Sequence, residues 1–154
     1  MRYEEVTSVE ENVLREVKVE YFPELSGAKI KLLFDTKKKT TGGKLVFARI
    51  QKPNELTRFF TTNETDDDEG YDYIIFLDKM LWDNIEDSDK KRLLRHEMRH
   101  TLVDLDSNNP WKLQGHTVED FYEEIALNVD DPRWSERLGY LLTDLYEEEK
   151  ELNR

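Results

Sequence analysis

Leu94-Arg95-His96-Glu97-Met98-Arg99-His100 is the stretch on which the reading of this chain turns. It has the form His-Glu-x-x-His and falls inside Lys90 to Val103, a segment whose periodicity predicts a helix with Leu93, Leu94, Leu102 and Val103 turned to the core. Histidines four residues apart lie one turn from each other on one helical face, so their imidazoles can converge on one ion. Glu97 projects beside that pair, where it can reach a water on the ion. A catalytic zinc site takes three protein ligands and keeps one position open for water. The motif therefore provides two ligands and a base, and it requires a third ligand from elsewhere.

The chain has three histidines in all, and the remaining one is His116. It follows a loop and Gly115 and leads into the next helical stretch, from which it can fold back over the first helix. Glu119 and Asp120 compete for the same role, since a carboxylate third ligand is chemically normal. His116 is preferred because imidazole is a good neutral ligand and no histidine is then left over. Asp104, Asp106, Glu123 and Glu124 are candidates to accept the second N–H of an imidazole; Glu123 and Glu124 also read as surface charge. The bland alternative makes His96 and His100 ordinary helix residues and His116 a surface histidine.

Composition narrows the chemistry. The 154 residues suit one domain, expected to span 1–154 with a core at about 8–146 and a charged C-terminal tail. There is no cysteine, which excludes disulfides, thiolate metal sites and a cysteine nucleophile. Thirty-five acidic residues face 23 basic ones, for a net charge of -12. Such a surface repels free nucleic acid unless a basic face is segregated. The compact basic patch is Lys37-Lys38-Lys39 with Lys44, beside Thr40, Thr41, Gly42 and Gly43, and it reads as a hairpin tip. The acidic run 66–69 reads as a solvated loop, because it lacks the alternating ligands and central glycine of a calcium loop. No stretch resembles a signal peptide or a membrane span, so a cytoplasmic location is expected.

Along the chain, Val6 to Val17 has helical spacing, with Ser8 and Glu11 as a capping box and Pro23 as the stop. Lys29–Phe34 and Lys44–Ile50 read as the two strands of an antiparallel hairpin, Leu56–Thr62 as a third strand, and Tyr71–Leu77 as a fourth with both faces covered. Met80 to Ile85 reads as a short helix, and Ser88 as the cap of the motif helix. Asp104 to Asn109 is a loop ending at Pro110. Further helices run from Thr117 to about Leu127 and from Trp134 to Leu152, the last with a stripe at Leu138, Leu141, Leu142 and Leu145. The plan is α+β: an antiparallel or mixed sheet of three to four strands, an N-terminal helix, the His-Glu-x-x-His helix and C-terminal helices.

The stretch from His96 to Phe121 resembles the SprT-like and phage-type metallopeptidases of the zincin class. Those families pair a helix carrying His-Glu-x-x-His with a later histidine ahead of a helix bearing an aromatic. Here the motif falls on His96, Glu97 and His100, and the later histidine on Gly115-His116 with Phe121 behind it. Tyr21-Phe22-Pro23-Glu24-Leu25 followed by a strand is similar to the start of the phage-type domain. The resemblance implies a small zincin-like domain. It departs from the larger SprT-like proteins in lacking a cysteine-based zinc ribbon, which weakens any carry-over to work on DNA.

The function expected is zinc-dependent hydrolysis of a peptide bond, with Glu97 as general base and His96, His100 and His116 as ligands; manganese or cobalt are the other ions to weigh. The alternative is a non-catalytic, metal-stabilised binding or regulatory protein on a peptidase-derived fold. A protein or peptide is the expected partner, nucleic acid and membrane are not, and a monomer is expected. Tyr122, Tyr140 and Arg99 are candidate donors to the developing oxyanion. Phe59, Phe60, Tyr71 and Tyr73 read either as a specificity pocket or as core. An extended substrate could add to an exposed sheet edge.

Overall fold

The computed structural model describes residues 1–116 and 120–153. In chain order the elements are β1 (Tyr3–Glu5), α1 (Ser8–Tyr21), β2 (Ile30–Asp35), β3 (Thr40–Thr41), β4 (Lys44–Leu45), β5 (Ala48–Gln51), α2 (Glu55–Phe60), β6 (Tyr73–Asp78), α3 (Lys79–Trp82), α4 (Asp87–Met98), β7 (Thr101–Val103), β8 (Trp111–Leu113), α5 (Tyr122–Leu127) and α6 (Trp134–Leu152). The arrangement is α+β, with a mixed sheet flanked by helices.

The main sheet has the order β1-β2-β6-β5 among the described residues. β2 and β6 run parallel, and the outer pairs are antiparallel. Every residue of β6 is buried. Tyr73, Ile75 and Leu77 join Leu32 and Phe34 in the core, together with Leu14 and Val17 of α1 and Leu93, Leu94 and Met98 of α4. On the other face Phe76 is covered by the Arg49 guanidinium, 3.8 Å from its ring centroid, and by Tyr3. A strand covered on both faces reads as a continuous apolar run, as this one does.

Several expectations are corrected. β2 and the 44–50 segment do not form one hairpin: β6 lies between them, and the segment splits into β4, which pairs with β3, and β5, which pairs with β6. The stretch expected as a third strand is helix α2, because Asn54 caps it by accepting a hydrogen bond from the Thr57 N–H at 2.8 Å. The cap of α1 is Thr7 and not Ser8. α4 starts after Glu86, so Ser88 lies inside it. The expected helix start at Thr117 lies outside the described residues.

The correction that matters most concerns the end of α4. The helix stops at Met98, not Val103, and the chain turns at once into the two-stranded β7–β8 ribbon. Thr101 makes that turn by donating its hydroxyl to the Met98 carbonyl at 2.6 Å. The Tyr73 hydroxyl ties the ribbon to the main sheet by donating to the Lys112 carbonyl at 2.8 Å. The ribbon carries the chain out through the Asp104–Asn109 loop and back to the end of α4.

Candidate metal centre

α4 is anchored by Leu94 and Met98, which are buried, and this fixes which side of the helix faces outward. His96 lies on that outward side within the helix. His100 sits two residues past its last turn, still close enough to share the face. The returning chain bonds back to this point: the Gln114 N–H donates to the His100 carbonyl at 2.6 Å, and the Gln114 side chain donates to the Arg99 carbonyl at 2.9 Å. His116 follows two residues later.

The three histidines thereby meet. One ring nitrogen from each lies within 4.8 Å of the others. Nε2 of His96 is 3.0 Å from Nε2 of His116. Two nitrogens on a tetrahedral zinc are separated by about 3.3 Å, so the cluster is near the spacing an ion needs. The other ring nitrogens of two of the histidines are engaged elsewhere. His96 Nδ1 faces Oδ1 of Asp120 at 2.7 Å, and His100 Nδ1 faces the Gln114 carbonyl at 2.8 Å. A carboxylate or carbonyl there selects the Nδ1–H tautomer and leaves Nε2 free as a donor to metal. Phe121 is buried behind all three rings, with centroid distances of 5.5, 5.0 and 5.1 Å to His96, His100 and His116.

Charge reinforces this pattern at His100 and His116 and opposes it at His96. Burial lowers the pKa of His100, and burial with the neighbouring imidazoles lowers that of His116, so both favour the neutral ring that a metal requires. Burial alone would lower His96 too, but its hydrogen bond to Asp120 and the nearby carboxylates outweigh it and raise the pKa. Burial pushes the Glu97 carboxyl up to about 7, against a small opposing effect of His96.

The histidines and Glu97 open into a cavity of about 490 Å³. Its apolar walls include Phe47, Ile50, Leu93 and Trp134. Glu97 is 7 % exposed and lines this cavity beside His96.

The remaining candidates separate clearly. Asp120 lies against His96 as its hydrogen-bond partner, the role considered for Asp104 and Asp106. Asp104 instead lies in the ribbon loop, 3.6 Å from Lys112. Glu119 lies outside the described residues. Glu124 is not surface charge: it is fully buried and accepts from Arg95 Nε at 2.9 Å and Arg99 Nε at 3.0 Å. The same contact engages Arg99, and Tyr122 and Tyr140 are largely exposed and do not line the cavity. Tyr73 is core, and Phe59 and Phe60 are exposed on α2, so these aromatics do not line the cavity either. The Arg95–Glu124–Arg99 network went unmarked in the sequence, although two arginines spaced i, i+4 around His96 were its visible half.

The model of the family described as "Putative phage metallopeptidase" matches residues 1–146. No curated protein and no solved structure matches the chain.

Proposed function

The chain belongs to the phage-type metallopeptidase family, and on that premise we propose that it hydrolyses peptide bonds at a zinc ion held by His96, His100 and His116, with Glu97 as general base. The observation that carries this reading is the convergence of three imidazole nitrogens within 4.8 Å beside a buried glutamate in one cavity. We further read the chain as one zincin-like domain acting on peptides as a cytoplasmic monomer.

Bound zinc supplies a Lewis acid that polarises a peptide carbonyl and lowers the pKa of water. His96 and His100 present Nε2, held in orientation by Asp120 and by the Gln114 carbonyl. Glu97 accepts a proton at its carboxylate from a water in the cavity as that oxygen attacks the peptide carbon. It then delivers the proton to the amide nitrogen as the C–N bond breaks. Burial raises the Glu97 carboxyl, and a more basic carboxylate takes up that proton more readily. Phe47, Ile50 and Trp134 limit water around the reacting bond. β5 has no strand on its outer side among the described residues, and that edge offers an extended substrate backbone hydrogen bonds.

The test is elemental analysis of untagged protein, followed by turnover of a mixed peptide library by wild type and Glu97→Gln. About one zinc per chain in both proteins, with cleavage lost in the variant, supports the reading. Equal zinc and no cleavage by either protein points to a metal-stabilised binding protein. No zinc uptake removes the metal centre itself.

A further inference from the structure

Residues 36–54 contain five lysines, one arginine and no acidic residue, in a chain whose net charge is -12. This segment forms the β3–β4 hairpin and β5. Its residues Leu45 to Ile50 make one wall of the histidine cavity. Gly42 and Gly43, with φ of +57° and +77°, close the hairpin in a tight turn that holds Lys44 opposite Thr41. Lys37, Lys38 and Lys44 are exposed and Lys39 is half-buried. Elsewhere most basic side chains have acidic partners, as in Lys31 with Glu5 and Glu64, Arg58 with Asp72, and Arg137 with Asp89 and Asp131. None of the four hairpin lysines forms a side-chain ion pair or hydrogen bond among the described residues. That includes the acids of α6, which packs against β4.

We propose that the β3–β4 hairpin is a recognition lip that selects polypeptides carrying acidic residues next to the bond presented to the histidine cavity. This names a substrate class for the site and rests on the peptidase reading above. A chain lying in the cavity along β5 and leaving it past Phe47 meets the hairpin next. Two or three extended residues span about 7–10 Å, which matches the reach of a small lysine cluster in physiological salt. The same scale disfavours nucleic acid. A nucleic-acid strand binds through many phosphates in a row, and a chain of net charge -12 repels those beyond the short hairpin.

The experiment uses full-length, zinc-loaded Glu97→Gln protein and fluorescein-labelled decapeptides of one sequence. Three glutamates stand on the N-terminal or the C-terminal side of the central bond, or glutamines replace them all. Anisotropy is expected to show one glutamate peptide binding about fivefold more tightly than its glutamine version at low salt. That ratio should fall towards one in the triple variant Lys37→Gln/Lys38→Gln/Lys44→Gln and in roughly 0.5 M salt. Equal affinities for glutamate and glutamine peptides overturn the proposal. So does a single-stranded oligothymidylate that binds more tightly than any peptide through the same lysines. Wild-type cleavage of the same peptides separates the two readings. Cleavage with no glutamate preference in binding removes the lip and leaves the peptidase. Glutamate-selective, lysine-dependent binding without cleavage removes the peptidase and leaves the lip.

Discussion

Oδ1 of Asp120 lies 2.7 Å from Nδ1 of His96, so the carboxylate first weighed as a rival to His116 holds one of the imidazoles instead. The bond fixes the tautomer and the ring plane, and removing it frees the ring to rotate. Asp120→Ala should lower zinc affinity about 10–100-fold. Competition with a chromophoric chelator measures this. Unchanged affinity would show that the ring is held by packing against Phe121 alone.

His116 is exposed, whereas His96 is four-fifths shielded. Without metal, His116→Ala should therefore shift stability by no more than about 0.5 kcal/mol. The thermal stabilisation that wild type gains from added zinc should nevertheless be largely lost. Paired melts with chelator and with zinc check both halves. Full zinc stabilisation in the variant would remove His116 from the ligand set.

Glu124 is sealed between Arg95 and Arg99, and the two guanidiniums stack over Tyr21 and Phe22. This network joins α5 to α4 and so sets the position of Phe121 and Asp120. Glu124→Ala leaves two largely buried cations without their counter-charge, at a cost of about 3–5 kcal/mol. Urea unfolding of the metal-free protein should show it. A loss below about 1 kcal/mol would class the network with surface pairs.

Asp89 ties α4 to α6 by accepting hydrogen bonds from Arg137 at 2.7 and 2.8 Å. Burial by itself raises its pKa, but hydrogen bonds from Arg137 and Arg92 outweigh that and hold it below the usual carboxylate range. For a depressed carboxyl the contribution to stability is complete above the unfolded-state pKa of about 4 and is lost as pH falls further. The difference in urea midpoint between wild type and Asp89→Asn should thus be constant from about pH 5 to 8 and shrink below about pH 4. A gap that persists at the lowest pH would mean that packing, not charge, sets Asp89's role.

Helices α1, α4 and α6 and the pairing of His96 with His100 were legible because each rests on local spacing. His96 and His100 share a face by helical geometry, and the Leu138–Leu142 side of α6 is buried as its stripe implies. Pairing between distant strands was not legible. Nothing in Lys29–Phe34 or Lys44–Ile50 records that β6 inserts between them. The β-rich composition of Leu56–Thr62 lost to a single capping side chain, Asn54. The buried role of Glu124 was hidden for a related reason. A carboxylate at position 124 looks the same in sequence whether it meets water or two arginines 25 and 29 residues earlier.

The β7–β8 ribbon has one more consequence. Its base is fastened, at Thr101 opposite Leu113 and through Gln114 to His100, while its loop joins the far ends of the two strands. Lengthening or shortening that loop leaves the distance between His100 and His116 in space unchanged. The count of residues separating them is thus no part of what brings the two rings together. In this fold the third histidine is defined by its place just after a returning strand, and not by an interval counted from His-Glu-x-x-His.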